Sequence, residues 1–263
     1  MPDALLSAVP ESSPDKAALD KAARLAELRA RIQRLEGLGG EGARVLPFGL
    51  PDLDSALPGG GLPLGCLHEV TGEDPGAGTA FAAGLLARLA TAAAPAVWIL
   101  RGRDLHAAGL AAYGLTPDRL IAVRATRDAD ALWAMEEALR CKRLSAVLGE
   151  AGNLDLTASR RLQLAAESSG VTGFLLQPGP RRSAARVAPS AAVTRWSVGA
   201  APSDCDEPGV GDPRWRVALE RCRGGRPGAW LLDWRDGALT QAAPAVDASG
   251  GNRLAQRQLI KVA

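Results

Sequence analysis

The sequence predicts an α/β protein. Its core is a mostly parallel sheet flanked by helices, with a C-terminal antiparallel β extension and an N-terminal helix. Three observations carry this. Between residues 66 and 176, short apolar runs alternate with segments of helical length, the pattern of a sheet covered on both faces. The first of these runs passes through a Gly-rich turn straight into an apolar helix. After residue 193, strand-like runs follow one another with no helix between them.

Composition narrows the function classes. At 263 residues and 47% hydrophobic, the chain can bury a core without disulfides or structural metals. Apolar stretches such as Ala80–Ala87 stop well short of the roughly 20 residues a membrane helix needs. Met1–Pro14 carries acids and no basic segment, a poor signal peptide, so a cytoplasmic location is expected. Four scattered cysteines form no C-x-x-C pair, so no metal site is expected. His68 and His106 leave little material for histidine chemistry. The net charge of +2 says nothing of nucleic acid; the arginine clusters are more informative.

Residues 1–14, with Pro2, Pro10 and Pro14, read as a disordered N-terminus. Residues 15–40 read as an amphipathic helix and linker. Leu19, Leu25, Leu28, Ile32 and Leu35 recur near helical spacing until Gly37, Gly39 and Gly40 stop them. Such a helix either packs on its own domain or docks on a partner or neighbouring subunit. Residues 41–199 form the core unit. A short helix around Leu53–Leu57 precedes strand Cys66–Thr71, the turn Gly72–Gly78 and helix Thr79–Ala92. Then follow strand Ala96–Leu100, helix Leu105–Tyr113, strand Leu120–Val123, helix Ala129–Arg140, strand Leu144–Leu148, helix Thr157–Ser168 and strand Gly173–Leu176. Gln177–Ala192, rich in Pro and Arg, reads as a mobile basic loop. Val193–Val198, Trp215–Leu219 and Ala229–Trp234 are expected to extend the sheet as antiparallel strands. The Arg/Trp-rich extension spans residues 200–241, and residues 242–263 read as a flexible tail.

Strand, Gly-rich turn and helix form the context of a phosphate-binding loop, G-x-x-x-x-G-K-[ST]. Here the template falls on Gly72–Thr79, where Gly72 and Thr79 fit and Gly76 lies inside the loop. Ala77 takes the second glycine position, and Gly78 takes the place of the lysine that neutralises phosphate charge. Glu73 and Asp74 add negative charge to the same loop. After strand Ala96–Leu100 the first acid is Asp104, behind Arg101 and Arg103. The magnesium-binding aspartate expected after strand Leu144–Leu148 is replaced by Gly149, with Glu150 as the one residual acid. Three stations degenerate together predict a chain that is not an ATPase and needs neither ATP nor Mg²⁺; residual weak nucleotide binding stays open.

Five arginines, Arg214, Arg216, Arg221, Arg223 and Arg226, crowd beside Trp215 and Trp230. In a strand, Arg214 and Arg216 share one face and Trp215 points to the other. Three readings stay open: a solvated face over core tryptophans, a partner surface, or a DNA contact. A second cluster, Arg181, Arg182 and Arg186, lies in the basic loop. It lacks an aromatic for base stacking, so any DNA contact there would be weak and independent of sequence.

The run Phe48-Gly49-Leu50-Pro51-Asp52-Leu53-Asp54-Ser55-Ala56-Leu57, continued by Gly59-Gly60-Gly61-Leu62-Pro63-Leu64-Gly65 and Glu69, resembles the lead-in of RecA-type ATPase cores. The likeness spans residues 46–176 and is most specific at the lead-in. The segment Arg214–Trp230 with Asp233 and Trp234 resembles the "RWR…RGGRPG-x-W…W" region of the ImuA family of RecA-like proteins. That resemblance implies an accessory role in SOS-induced translesion synthesis. The implied partners are an ImuB-like Y-family polymerase homologue, RecA and an error-prone polymerase. The SulA family, RecA-like inhibitors that bind FtsZ, is a shorter relative and the alternative reading. A divergent ATP-binding protein is the third.

Overall fold

The computed structural model describes Arg24, Glu27, Leu28 and residues 44–74, 76–152, 154–177, 189–203 and 211–242. Arg24, Glu27 and Leu28 are helical, and Leu28 is exposed. The expected N-terminal segment and tail otherwise lie outside the described residues.

Two short strands, β1 (Val45–Leu46) and β2 (Leu62–Pro63), pair as an antiparallel clip around helix α1 (Pro51–Asp54). The Asp54 carboxylate accepts hydrogen bonds from the backbone N–H groups of Phe48, Gly49 and Leu50, at 2.7 to 3.2 Å. It thereby folds the lead-in onto its own helix.

The main body alternates as predicted. Its elements are β3 (Leu67–Gly72), α2 (Ala77–Leu89), β4 (Ala96–Leu100), α3 (Ala107–Ala111), β5 (Leu120–Arg124), α4 (Asp128–Leu139), β6 (Ala146–Glu150), α5 (Leu156–Ser169) and β7 (Thr172–Gln177). β8 (Thr194–Ala201), β9 (Arg214–Cys222), β10 (Gly228–Arg235) and β11 (Ala238–Gln241) complete it. Nine strands form one sheet in the order β11-β10-β9-β8-β3-β7-β6-β4-β5.

One strand differs from expectation. β8 is not antiparallel: it pairs parallel to β3, with His68 opposite Thr194 and Gly72 opposite Val198. The antiparallel part begins only at β9, paired to β8 with Val198 opposite Val217, and continues through β10 and β11. β8 therefore belongs to both halves of the sheet. β11 has no counterpart in the sequence reading.

Apolar side chains cover the sheet in two layers. Phe81, Leu85 and Leu86 of α2 pack over Val70, Trp98, Leu148, Phe174, Trp196 and Val198. On the other face, Met135 and Leu139 of α4 and Leu162 of α5 pack over Leu67, Ile99, Val147 and Leu175. The first layer reaches far into the C-terminal strands. Trp215 and Trp234 are buried beside Tyr113, at ring separations of 6.1 and 5.5 Å. Trp234 meets α2 at Gly84, where a Cβ would lie 3.0 Å from the indole.

Helix ends are secured locally. Asp155 caps α5 through Ala158 N–H at 2.6 Å, and Gly170 closes it at φ +78°, a left-handed position that glycine fills without strain. Arg119 donates to the Ala87 and Ala90 carbonyls at the C-terminus of α2.

Candidate functional site

The turn between β3 and α2 sits where a phosphate loop belongs, but its geometry is tight. α2 begins at Ala77, two residues earlier than predicted, so Gly78 and Thr79 lie in its first turn. Gly78 is pressed against Gly72: a Cβ on residue 78 would stand 2.8 Å from Gly72 Cα and 2.9 Å from Gly72 N. Any side chain at the lysine position would collide with backbone. Gly76 has open space beside it and precedes the helix as its N-cap residue.

The two loop acids turn to the neighbouring strands. Glu73 N–H donates to the Val198 carbonyl at 2.7 Å. The Glu73 carboxylate accepts from Ser197 Oγ at 2.9 Å and pairs with Arg216 at 3.5 Å. Asp74 accepts from Ala200 N–H at 2.6 Å. These contacts fasten the loop to β8 and β9. The sequence carried the signal, two acids in a phosphate loop, but not their partners.

The strand carrying the residual acid runs on through Glu150, later than predicted, so Gly149 and Glu150 both lie within β6. Gly149 is tight against Met135, whose sulfur would lie 2.8 Å from a Cβ there. Glu150 accepts from the Trp98 indole N–H at 2.9 Å and from Arg101 N–H at 3.1 Å. Both carboxylate oxygens thus close the end of β4. Among the described residues, no group of three or more His, Cys, Asp or Glu side chains is placed to hold a metal ion.

The arginine segment divides by burial. Arg214 is 6% exposed and donates twice to Asp233, directly opposite on β10, at 2.6 and 3.0 Å. Trp215 is buried in the opposite layer, and Trp230 is half-buried 6.5 Å from Trp196. Three arginines bind carbonyl oxygens of neighbouring segments. Arg221 reaches Ser190 at 2.8 Å, Arg223 reaches Ala191 at 3.2 Å and Arg226 reaches Ser55 at 3.3 Å. Arg216, Arg221 and Arg226 are exposed. Arg181, Arg182 and Arg186 lie outside the described residues.

A buried polar chain runs under β3 and β8. The Trp196 indole N–H donates to Thr194 Oγ1 at 2.8 Å. Thr194 Oγ1 lies 2.7 Å from His68 Nδ1, and His68 Nε2 lies 2.8 Å from the Pro63 carbonyl. The carbonyl can only accept, so Nε2 carries the proton and Nδ1 accepts from the threonine hydroxyl. Burial pushes the His68 imidazole down to about 4 and the Cys66 thiol up to about 12. Both stay neutral, and the chain serves the fold.

No helix among the described residues is long and apolar enough to cross a membrane. No protein-family model matches the chain. Among solved structures, a KaiC-like protein from the hyperthermophilic archaeon Pyrococcus horikoshii OT3 shares the fold. Its TM-score is 0.52 at 15% identity, over 76% of this chain and 100% of that one. Two curated relatives, each named Protein ImuA and from two strains of Caulobacter vibrioides, are 46% identical over 201 residues. That alignment covers 72% of this chain and 82% of each relative. At this identity and coverage, with the RecA-type sheet now in place, the chain belongs to the ImuA family.

Proposed function

We propose that this chain is a non-catalytic adaptor in DNA-damage-induced (SOS) translesion synthesis and mutagenesis, binding an ImuB-like Y-family polymerase homologue. Its kinship with ImuA supports the pathway. One observation supports the non-catalytic reading above the others: Gly78 is packed so closely on Gly72 that a lysine at its position would clash with the backbone and force the loop to shift. The residual acid Glu150 is also taken up at the end of β4. A chain so built works without ATP or Mg²⁺ turnover. Its contribution is a surface, for which the exposed arginines Arg216, Arg221 and Arg226 are the candidates. RecA and single-stranded DNA are further candidate partners.

Calorimetric titration of the purified protein with ATP and ADP, with and without Mg²⁺ and single-stranded DNA, tests the first half. No saturable binding at submillimolar nucleotide is expected, and clear Mg²⁺-dependent binding would overturn the reading. Co-purification with an ImuB-like chain tests the second half. It should be lost when Arg221 and Arg226 are both changed to Glu in a variant that remains folded.

A further inference from the structure

We infer that β8 and β9 carry a small-oxyanion site, which the loop's own Glu73 and Asp74 occupy as a built-in plug. This rests on the reading of the loop as one that holds no nucleotide in the native chain. Three donors of different kinds lie along this stretch: the Ser197 hydroxyl and the Arg216 guanidinium meet on Glu73, and the Ala200 backbone N–H, three residues along β8 from Ser197, holds Asp74. They meet the two carboxylates at 2.9, 3.5 and 2.6 Å. A hydroxyl, an amide and a guanidinium are the donor set that holds a phosphate-type anion.

The strands are shaped for this role. Gly199 stands directly opposite Arg216, between Ser197 and Ala200. A Cβ on Gly199 would collide with the Glu73 carboxylate and lie 3.0 Å from the Arg216 guanidinium. The absent side chain keeps room for an anion over the strand. The site is open to solvent, since the Glu73 and Arg216 side chains are 48% and 55% exposed. Glu73 takes the arginine and the hydroxyl and Asp74 takes the amide, so an incoming oxyanion meets both a tethered competitor and the repulsion of two neighbouring carboxylates. The plug thus holds in cis the groups that a phosphate would otherwise hold, and keeps the loop docked whatever the nucleotide level.

The test neutralises the plug. The Glu73→Gln/Asp74→Asn variant is titrated with inorganic pyrophosphate by calorimetry, beside the native protein. Removing a tethered competitor should tighten binding by about tenfold or more. Adding Arg216→Ala to that variant should abolish the gain. A parallel titration with ATP separates the sources of the phosphate. Equal binding assigns the site to the phosphate group alone, and tighter ATP binding extends it to a nucleotide; either supports the site. If the double variant does not fold, Glu73→Gln alone carries the same comparison. A folded variant that binds pyrophosphate no better than the native chain would overturn the inference, as would a gain that survives Arg216→Ala. That failure would leave the adaptor reading intact, because nucleotide binding and co-purification are measured there on the native loop.

Discussion

His68 should make the fold acid-sensitive in a defined window. The imidazole is fully buried, 5.3 Å from the Phe174 ring, with one nitrogen on Thr194 and the other on the Pro63 carbonyl. Protonating Nδ1 would set an N–H against a hydroxyl that has turned its own proton inward. It would also bury an uncompensated charge. The folded protein therefore holds this group neutral down to about 4, against 6.5 when exposed. Between those values the unfolded chain binds the extra proton, so stability rises with pH there. The contribution is complete above pH 6.5 and is lost as pH falls through 4. By linkage the loss is about 3 kcal/mol in all, most of it by pH 4.5. Other carboxylates titrate in the same range, so the comparison must be with His68→Gln, whose amide can donate to Pro63 and accept from Thr194 without titrating. Urea unfolding followed by tryptophan fluorescence at pH 7.5 and 4.5 gives the four stabilities. The native chain should lose about 2–3 kcal/mol more than the variant on acidification. Equal losses would refute the assignment of a buried neutral imidazole.

Three further outcomes are expected. Gly78→Lys, which restores the missing residue of the phosphate loop, should destabilise by about 1–3 kcal/mol through the clash with Gly72, and calorimetry should find no ATP binding gained. Asp233→Asn removes the carboxylate that pairs with the buried Arg214 and should cost about 3 kcal/mol in chemical denaturation, whereas replacing both partners by apolar residues should recover most of it. Trp215→Ala should lower stability by about 3–5 kcal/mol through the cavity left between Phe81, Tyr113 and Trp234, read as a shift of the thermal midpoint.

Periodicity made the alternating part of the fold legible, because a strand or helix with one or two buried faces must repeat its apolar residues accordingly. The six-residue β3 is buried along its whole length although His68, Glu69 and Thr71 break its apolar residues, and the Gly-rich turn and apolar helix that follow it marked its place. The direction of β8 was not legible: Thr194–Ala201 reads the same whether its neighbour runs with it or against it. β11 is four residues long and largely exposed, too short for an alternation to show. Element ends were misplaced where no residue marks them, as at Ala77, which lacks a side-chain cap before it. The degenerate loop was readable from Ala77 and Gly78 alone. The fates of Arg214, Glu73 and Asp74 were not, because their partners lie 19 or more than 120 positions away in the chain.

The shared tryptophan layer has a consequence for how this protein can be dissected. Trp215 and Trp234 roof α2 as surely as the central strands do, and β8 is stitched into both halves. The C-terminal strands are therefore not a module that can be clipped off, grafted elsewhere or shed in descent while the rest survives. A deletion that silences an interaction by removing residues 214–242 would report the collapse of Phe81 and Gly84 into water, not the loss of a binding surface. Only single changes on the outward face, at positions such as Arg216, separate what this region holds up from what it holds on to.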